Sequence, residues 1–187
     1  MSVHPGVSNG DALVFVAVGT DHHPFDRLIH WVDAWLETGA APRARCLVQH
    51  GASARPAHAE ARDYLDYDAM LAAIDAADVV VCHGGPGTIM LAAYEDKVPI
   101  VVPRLRALGE HVDDHQLVFT RRIANEGTIA LAEDEGRFRA LLERALVSPL
   151  RRRSRTWPST DQTVRRFEAI VGELVFGQED RLRRPVA

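Results

Sequence analysis

An apolar run, Val79-Val80-Val81-Cys82, breaks into His83-Gly84-Gly85-Pro86-Gly87-Thr88 and resumes as Ile89-Met90-Leu91-Ala92-Ala93. No other segment constrains the fold so tightly. A buried strand that ends in a glycine-rich turn and opens a helix leaves several backbone N–H groups without partners, converging with the positive end of the helix dipole. Glycine lets an anion approach the main chain more closely than a Cβ permits. Thr88 stands where it can cap the helix and add a hydroxyl donor. The plainer reading is a tight strand-to-helix turn that binds nothing; the functional one is a site for a phosphate.

The rest of the chain repeats the same grammar. Residues 13–18 form a continuous apolar run of the kind found in strands buried on both faces, ended by Gly19-Thr20. Pro24 suits a first helical turn, and Phe25, Leu28, Ile29, Val32 and Leu36 recur at helical spacing until Gly39 stops them. Further strands are predicted at 46–49, 79–82, 100–102 and 128–131, with a short extended piece near Tyr64-Leu65. Helices are predicted at 67–77 with Asp68 as cap, 88–95, 114–125 and 134–145. Strands alternating with helices imply an α/β fold, a single Rossmann-like domain whose parallel sheet is covered by helices on both faces. The domain is expected over 13–147. A disordered start (1–12) precedes it, and a basic linker with an amphipathic helix carrying Val164, Phe167, Ile170, Val171, Leu174 and Val175 (148–187) follows. Ligands of such sheets bind beyond the carboxyl ends of the strands, where the loops 19–24, 49–53, 83–88 and 103–116 gather.

Composition excludes several classes. The chain has 187 residues, 47% hydrophobic and 26% charged, enough for one core. No apolar stretch is long enough to span a bilayer, and the start lacks the basic region and apolar core of a signal peptide, so a cytoplasmic protein is expected. Cys46 and Cys82 both fall inside predicted strands and read as buried thiols, not as a disulfide or metal knuckle. Residues 1–150 carry 13 basic and 21 acidic side chains, whereas 151–187 carry 9 arginines against 5 acids. The acidic body and the lack of aromatics among the basic residues argue against nucleic-acid binding.

Five spaced blocks, taken in order, carry a resemblance. They are Phe15-Val16-Ala17-Val18-Gly19-Thr20, Pro24-Phe25-Asp26-Arg27-Leu28-Ile29, Gln49-His50-Gly51, the stretch from Ala77-Asp78 through Thr88, and Val98-Pro99-Ile100-Val101-Val102-Pro103-Arg104 with Gly109-Glu110-His111 and Asp114-His115-Gln116. They resemble the C-terminal, sugar-nucleotide-binding half of the GT-B glycosyltransferases of family 28. Within that family the chain is most similar to free-standing, PssE-like subunits of split enzymes, which serve exopolysaccharide synthesis or dolichol-linked N-acetylglucosamine transfer. Such subunits work with a separate, PssD-like membrane-associated polypeptide that supplies the acceptor side. The chain's length, that of one such half, agrees.

The resemblance implies a hexosyltransferase of the inverting GT-B type, weak or inactive without its partner. Its donor would be a UDP-sugar, UDP-N-acetylglucosamine or another UDP-hexose, and its acceptor lipid-linked or a polysaccharide precursor. No cofactor beyond that substrate is implied, and membrane association would be peripheral, at the inner face, through the partner. The turn of His83, Gly84, Gly85, Pro86, Gly87 and Thr88 would hold the donor diphosphate. Gly19, Thr20, Gln49, His50 and Gly51 would form the facing wall, and His115 and Gln116 would meet sugar hydroxyls. Relatives place an acid at the position of Leu91 for the ribose hydroxyls; leucine cannot accept them, and Glu95 lies one helical turn further along. A non-catalytic nucleotide-sugar-binding subunit is the alternative that this departure raises.

The remaining polar residues carry two readings each. His22 and His23 follow the first strand, where a general base facing an acceptor hydroxyl can sit, or where they simply shape the loop. Arg104, Glu110 and His111 either line the donor cleft, the arginine adding positive charge beside the diphosphate, or pair with one another as ordinary loop contacts. His111, Asp113, Asp114 and His115 can be read as metal ligands, because two histidines four apart on a helix face one way, but no further ligand spacing matches a recognised site, and no metal is expected. Trp31 and Trp35 read as packing residues of the first helix.

Overall fold

The computed structural model describes residues 12–39 and 44–150. The expected loose start, apart from Ala12, and the basic linker and last helix beyond residue 150 lie outside the described residues. Ala12 itself belongs to the first strand, paired with Ala44.

Six parallel strands, β1 (Ala12–Ala17), β2 (Ala44–Gln49), β3 (Glu60–Arg62), β4 (Val79–His83), β5 (Ile100–Val102) and β6 (Ala130–Leu131), form one sheet in the order β3-β2-β1-β4-β5-β6. The helices are α1 (Asp26–Glu37), α2 (Tyr67–Ala76), α3 (Pro86–Tyr94), α4 (His115–Asn125) and α5 (Glu135–Val147). Alternation along β1 shows why its sequence is continuously apolar. Val14 and Val16 point to one face, packing with Leu28, Val32 and Trp35 of α1 and Phe138 and Leu142 of α5. Phe15 and Ala17 point to the other, with Ile74 of α2 and Ile89 and Ala92 of α3. A strand covered on both faces has no polar side to display. Trp35 is fully buried as expected, while Trp31 is half-buried against Phe138. Cys46 and Cys82 are free and buried, and burial pushes both thiols up to about 12, which leaves them protonated and inert.

Three local expectations are corrected. The third strand is Glu60–Arg62, not the stretch near Tyr64-Leu65; only Ala61 of it is buried, so pairing with Leu47, Val48 and Gln49 defines it and hydropathy does not. The cap of α2 is Asp66, whose side chain accepts from the Ala69 N–H; Asp68 lies inside the first turn. Helix α3 begins two residues earlier than expected, with Gly85 as N-cap and Pro86 in its first turn, so Thr88 is an interior residue of that turn and caps nothing.

The strand order fixes the site. From β1 the chain winds outward through β2 and β3, then returns to place β4 on the other side of β1. The crevice beyond the carboxyl ends of β1 and β4 is the point where the winding reverses, and it is where a doubly wound sheet leaves room for a ligand.

Candidate functional site

Both walls of that crevice are glycine turns. Gly19 leaves β1 with φ +93°, and Gly85 opens α3 after β4. The His83 ring lies between them: a Cβ on Gly19 would come within 2.7 Å of it, and one on Gly85 within 2.1 Å. Burial, followed by the nearby Arg104 cation, lowers the His83 pKa to about 4, so the ring is neutral at physiological pH. Gly51 has φ +55°, and a Cβ there would strike the Gly19 carbonyl at 2.8 Å. Gly87 differs from all of these: a Cβ on it would meet nothing within 4 Å. No side chain caps α3, and the N–H groups of Gly87 and Thr88, in its first turn, have no intrahelical acceptor. Thr20 and Pro86 are exposed beside this opening.

The polar residues of the same edge are buried and bonded to backbone. Gln49 donates from Nε2 to the Gly19 and Asp63 carbonyls, at 3.2 and 3.1 Å, which orients its amide; its Oε1 is buried with no hydrogen-bond partner among the described residues. His50 sits against the Ser53 carbonyl and the Asp63 carboxylate, each at 3.0 Å. Gln116 Oε1 accepts from the Gly84 N–H at 3.0 Å and from the Arg104 N–H at 3.2 Å, tying the glycine turn to the loop after β5.

Arg104 is fully buried and donates to three carbonyls, those of His23, Glu110 and Val18, at 2.6, 3.0 and 2.8 Å. Its guanidinium stacks 4.8 Å from the Phe25 ring centre. Nη1 and Nη2 thereby tie the loop after β1 to the loop after β5, while Nε is buried with no hydrogen-bond partner among the described residues. Of the two readings of Arg104 and Glu110, the side-chain pair is not formed: on Glu110, Arg104 reaches only the backbone carbonyl. The Glu110 carboxylate forms a two-pronged pair with Arg27, both contacts 2.8 Å, and accepts from the Leu105 N–H.

The histidines gather at the rim. His23 Nδ1 lies 2.7 Å from Asp21 Oδ1, which also accepts the His23 backbone N–H, whereas His22 is 86% exposed and 3.4 Å from the same oxygen. Burial works to raise the Asp21 pKa, but the His23 amide and ring and the Arg104 charge outweigh it and hold the carboxyl down at about 2. Across the rim, His111 Nε2 faces Asp21 Oδ2 at 3.4 Å, and Asp113 stands between His111 and His115. His111 is in the loop and His115 is the first residue of α4, so the two do not share a helix face; their rings meet edge to face at 4.6 Å.

Sequence reasoning singled out the histidines and Asp113 and missed Asp21 and Arg27, whose partners are reached only through the fold. It also missed Tyr64, which is 55% exposed beside Gly51. Leu91 packs with the apolar cluster on its side of the sheet. Glu95 follows the far end of α3 and lines a cavity of about 280 Å³ with Asp78 and Val79 at the amino edge of β4, so it does not reach the crevice.

A family model described as "Glycosyltransferase family 28 C-terminal domain" matches residues 13–152. Among solved structures, the glycotransferase of kitacinnamycin superposes with a TM-score of 0.50 at 18% identity, over 78% of this chain and 42% of that one. CalG4, the calicheamicin glycosyltransferase, superposes with a TM-score of 0.52 at 12% identity, over 78% of this chain and 36% of that one. The likeness to both is one of fold, and the chain spans about two fifths or less of their length. No curated protein matches significantly.

Proposed function

The chain belongs to the family of glycosyltransferase family 28 C-terminal domains, and from that membership we propose that it is the donor-binding part of a sugar transferase that takes a UDP-sugar. One observation carries the reading: an uncapped helix N-terminus, flanked by glycines, opens at the switch point of the sheet. There the diphosphate is received by the N–H groups of Gly87 and Thr88 and by the α3 dipole, with Gly19 and Thr20 opposite. Gln49, His50, Gln116, Arg104 and Glu110 act as positioning residues that hold these backbones in place.

Transfer proceeds by attack of an acceptor hydroxyl on the anomeric carbon from the face opposite the diphosphate, with inversion. As the carbon–oxygen bond to the diphosphate breaks, negative charge grows on the leaving oxygen, where fixed amides stabilise the transition state most. His23 takes the acceptor proton on Nε2. Asp21, bonded to Nδ1 at 2.7 Å, orients the ring and stabilises the imidazolium that forms. This geometry favours His23 over the exposed His22. The sugar is N-acetylglucosamine or another hexose. The acceptor, lipid-linked or a polysaccharide precursor, is presented by a PssD-like membrane-associated subunit.

Calorimetric titration of the chain with UDP and UDP-N-acetylglucosamine tests the donor site, and transfer assayed with and without the membrane partner tests the rest. Absence of heat with every nucleoside diphosphate and its sugars refutes the reading. The apolar setting of Leu91 and the remoteness of Glu95 favour one second reading, a nucleotide-sugar-binding subunit without catalysis. Transfer by the reconstituted pair that His23→Asn abolishes excludes it.

A further inference from the structure

We propose that the loop between β5 and α4 holds a divalent transition-metal ion of the Zn2+ class, ligated by His111, Asp113 and His115, with Asp21 of the facing loop as the outer partner of His111. These three residues each offer one ligand atom, all within 4.8 Å of one another. His111 Nδ1 and Asp113 Oδ1 are 3.3 Å apart. In a tetrahedral zinc site with bonds of about 2.0–2.1 Å, neighbouring ligand atoms are separated by roughly 3.3 Å, so this pair already spans one edge of the coordination polyhedron. His115 presents Nδ1 to the same carboxylate, and its ring stands edge-on to His111. Asp113 and His115 are both more than half exposed, which leaves their side chains free to settle around an ion and a fourth position open to water or a ligand.

Tautomer and outer contact agree with ligation. His111 Nδ1 accepts the Asp113 backbone N–H at 3.3 Å, so Nδ1 carries the lone pair, and this long hydrogen bond is the one an ion at the site replaces. Its Nε2 then carries the proton and faces Asp21 Oδ2 at 3.4 Å. A ligating histidine commonly donates its second nitrogen to a carboxylate, and that partner fixes the ring and raises its basicity. Asp21 is itself anchored through its other oxygen by His23 at 2.7 Å. This third element comes from 90 positions earlier in the chain and was invisible to ligand spacing. Two histidines and one carboxylate suit Zn2+, Co2+ or Ni2+ better than Mg2+ or Ca2+, which favour all-oxygen shells.

The test uses the tag-free full chain and no nucleotide, so its outcome is independent of the transferase reading. Zn2+ is titrated calorimetrically, and Co2+ is followed by its visible absorption. One equivalent is expected to bind. His111→Ala and His115→Ala should each weaken binding at least tenfold, and Asp21→Asn by about tenfold as an outer partner. His58→Ala, which removes an exposed histidine paired with Glu37, should leave affinity unchanged. Failure of the wild-type chain to bind one equivalent, or binding that survives both His111→Ala and His115→Ala, overturns the proposal. An Asp21→Asn variant of unchanged affinity overturns the outer contact.

Discussion

Replacing Gly87 by alanine should strengthen the fold and weaken the ligand complex, two effects of opposite sign from one methyl group. Gly87 lies in the first turn of α3, where an added Cβ meets nothing within 4 Å. Alanine restricts the unfolded chain and prefers the helix, so the substitution should stabilise by about 0.4–1 kcal/mol, a rise in Tm of roughly 1–4 °C for a domain of this size. The same methyl would project into the space where a diphosphate must approach the amides. Losing one charge-assisted N–H···O bond costs about 1.5–3 kcal/mol, which corresponds to a roughly 10- to 150-fold weaker affinity for UDP. Gly85→Ala is the control. Its Cβ would stand 2.1 Å from His83 Nε2, with the ring hemmed in by Gly19 behind, so overpacking should cost about 1–3 kcal/mol. Thermal unfolding and calorimetry on the same three samples decide the matter. A Gly87→Ala protein that binds UDP as tightly as wild type would place the diphosphate elsewhere, and one that loses stability would contradict the helix geometry.

Three further outcomes are expected. Arg104→Lys should destabilise by about 1–3 kcal/mol in chemical denaturation, because an ammonium cannot reach all three carbonyls that the guanidinium joins; a change below about 0.5 kcal/mol would contradict the tie. His83 titrates near 4 in the fold against an ordinary 6.5, so the unfolded chain takes up the proton first, and stability present above pH 6.5 is lost as pH falls toward 4, by up to about 3 kcal/mol. Urea midpoints at pH 7.5 and 4.5 should converge in His83→Leu, and an equal drop in both proteins would refute this assignment. In the reconstituted transferase, His23→Asn should lower kcat by about 10²–10⁴ with donor KM unchanged, while His22→Asn should have little effect; equal losses in both variants would remove the Asp21-anchored base.

What the sequence made legible follows from the physics of a doubly covered parallel sheet. Val79, Val80, Val81 and Cys82 are all buried, so their strand announces itself by hydropathy alone, and the glycines after it mark where the chain must turn. Glu60–Arg62 gives no such signal, since an edge strand with one buried residue is defined by its neighbour. The site was legible as a set of positions and not as a set of directions. Arg104 stands in the loop after β5 and Gln116 in the first turn of α4, yet a linear chain does not reveal that one guanidinium would turn inward to three carbonyls or that one amide oxygen would collect two N–H groups. The partner of Glu110 is 83 positions away, beyond any spacing rule.

The inward turn of these groups has a physical cause. A parallel sheet delivers loops to one edge but leaves their backbones without ladder partners, and buried carbonyls and amides must find donors and acceptors somewhere. Arg104 joins the loops after β1 and β5, Gln116 joins the loops after β4 and β5, and Gln49 joins the Gly19 turn to the segment after β3. Cross-ties of this kind fix the glycine turns before any ligand arrives, which is the condition under which amides stabilise developing charge without reorganising. Residues at the edge therefore divide by the sign of their effects. Substituting a tie should lower stability and donor affinity together, because the ligand is lost through a displaced backbone. Substituting at an open position such as Gly87 should lower affinity while stability holds or rises. Measured side by side on Gln116→Ala and Gly87→Ala, that opposition separates residues that build the crevice from those that meet what enters it.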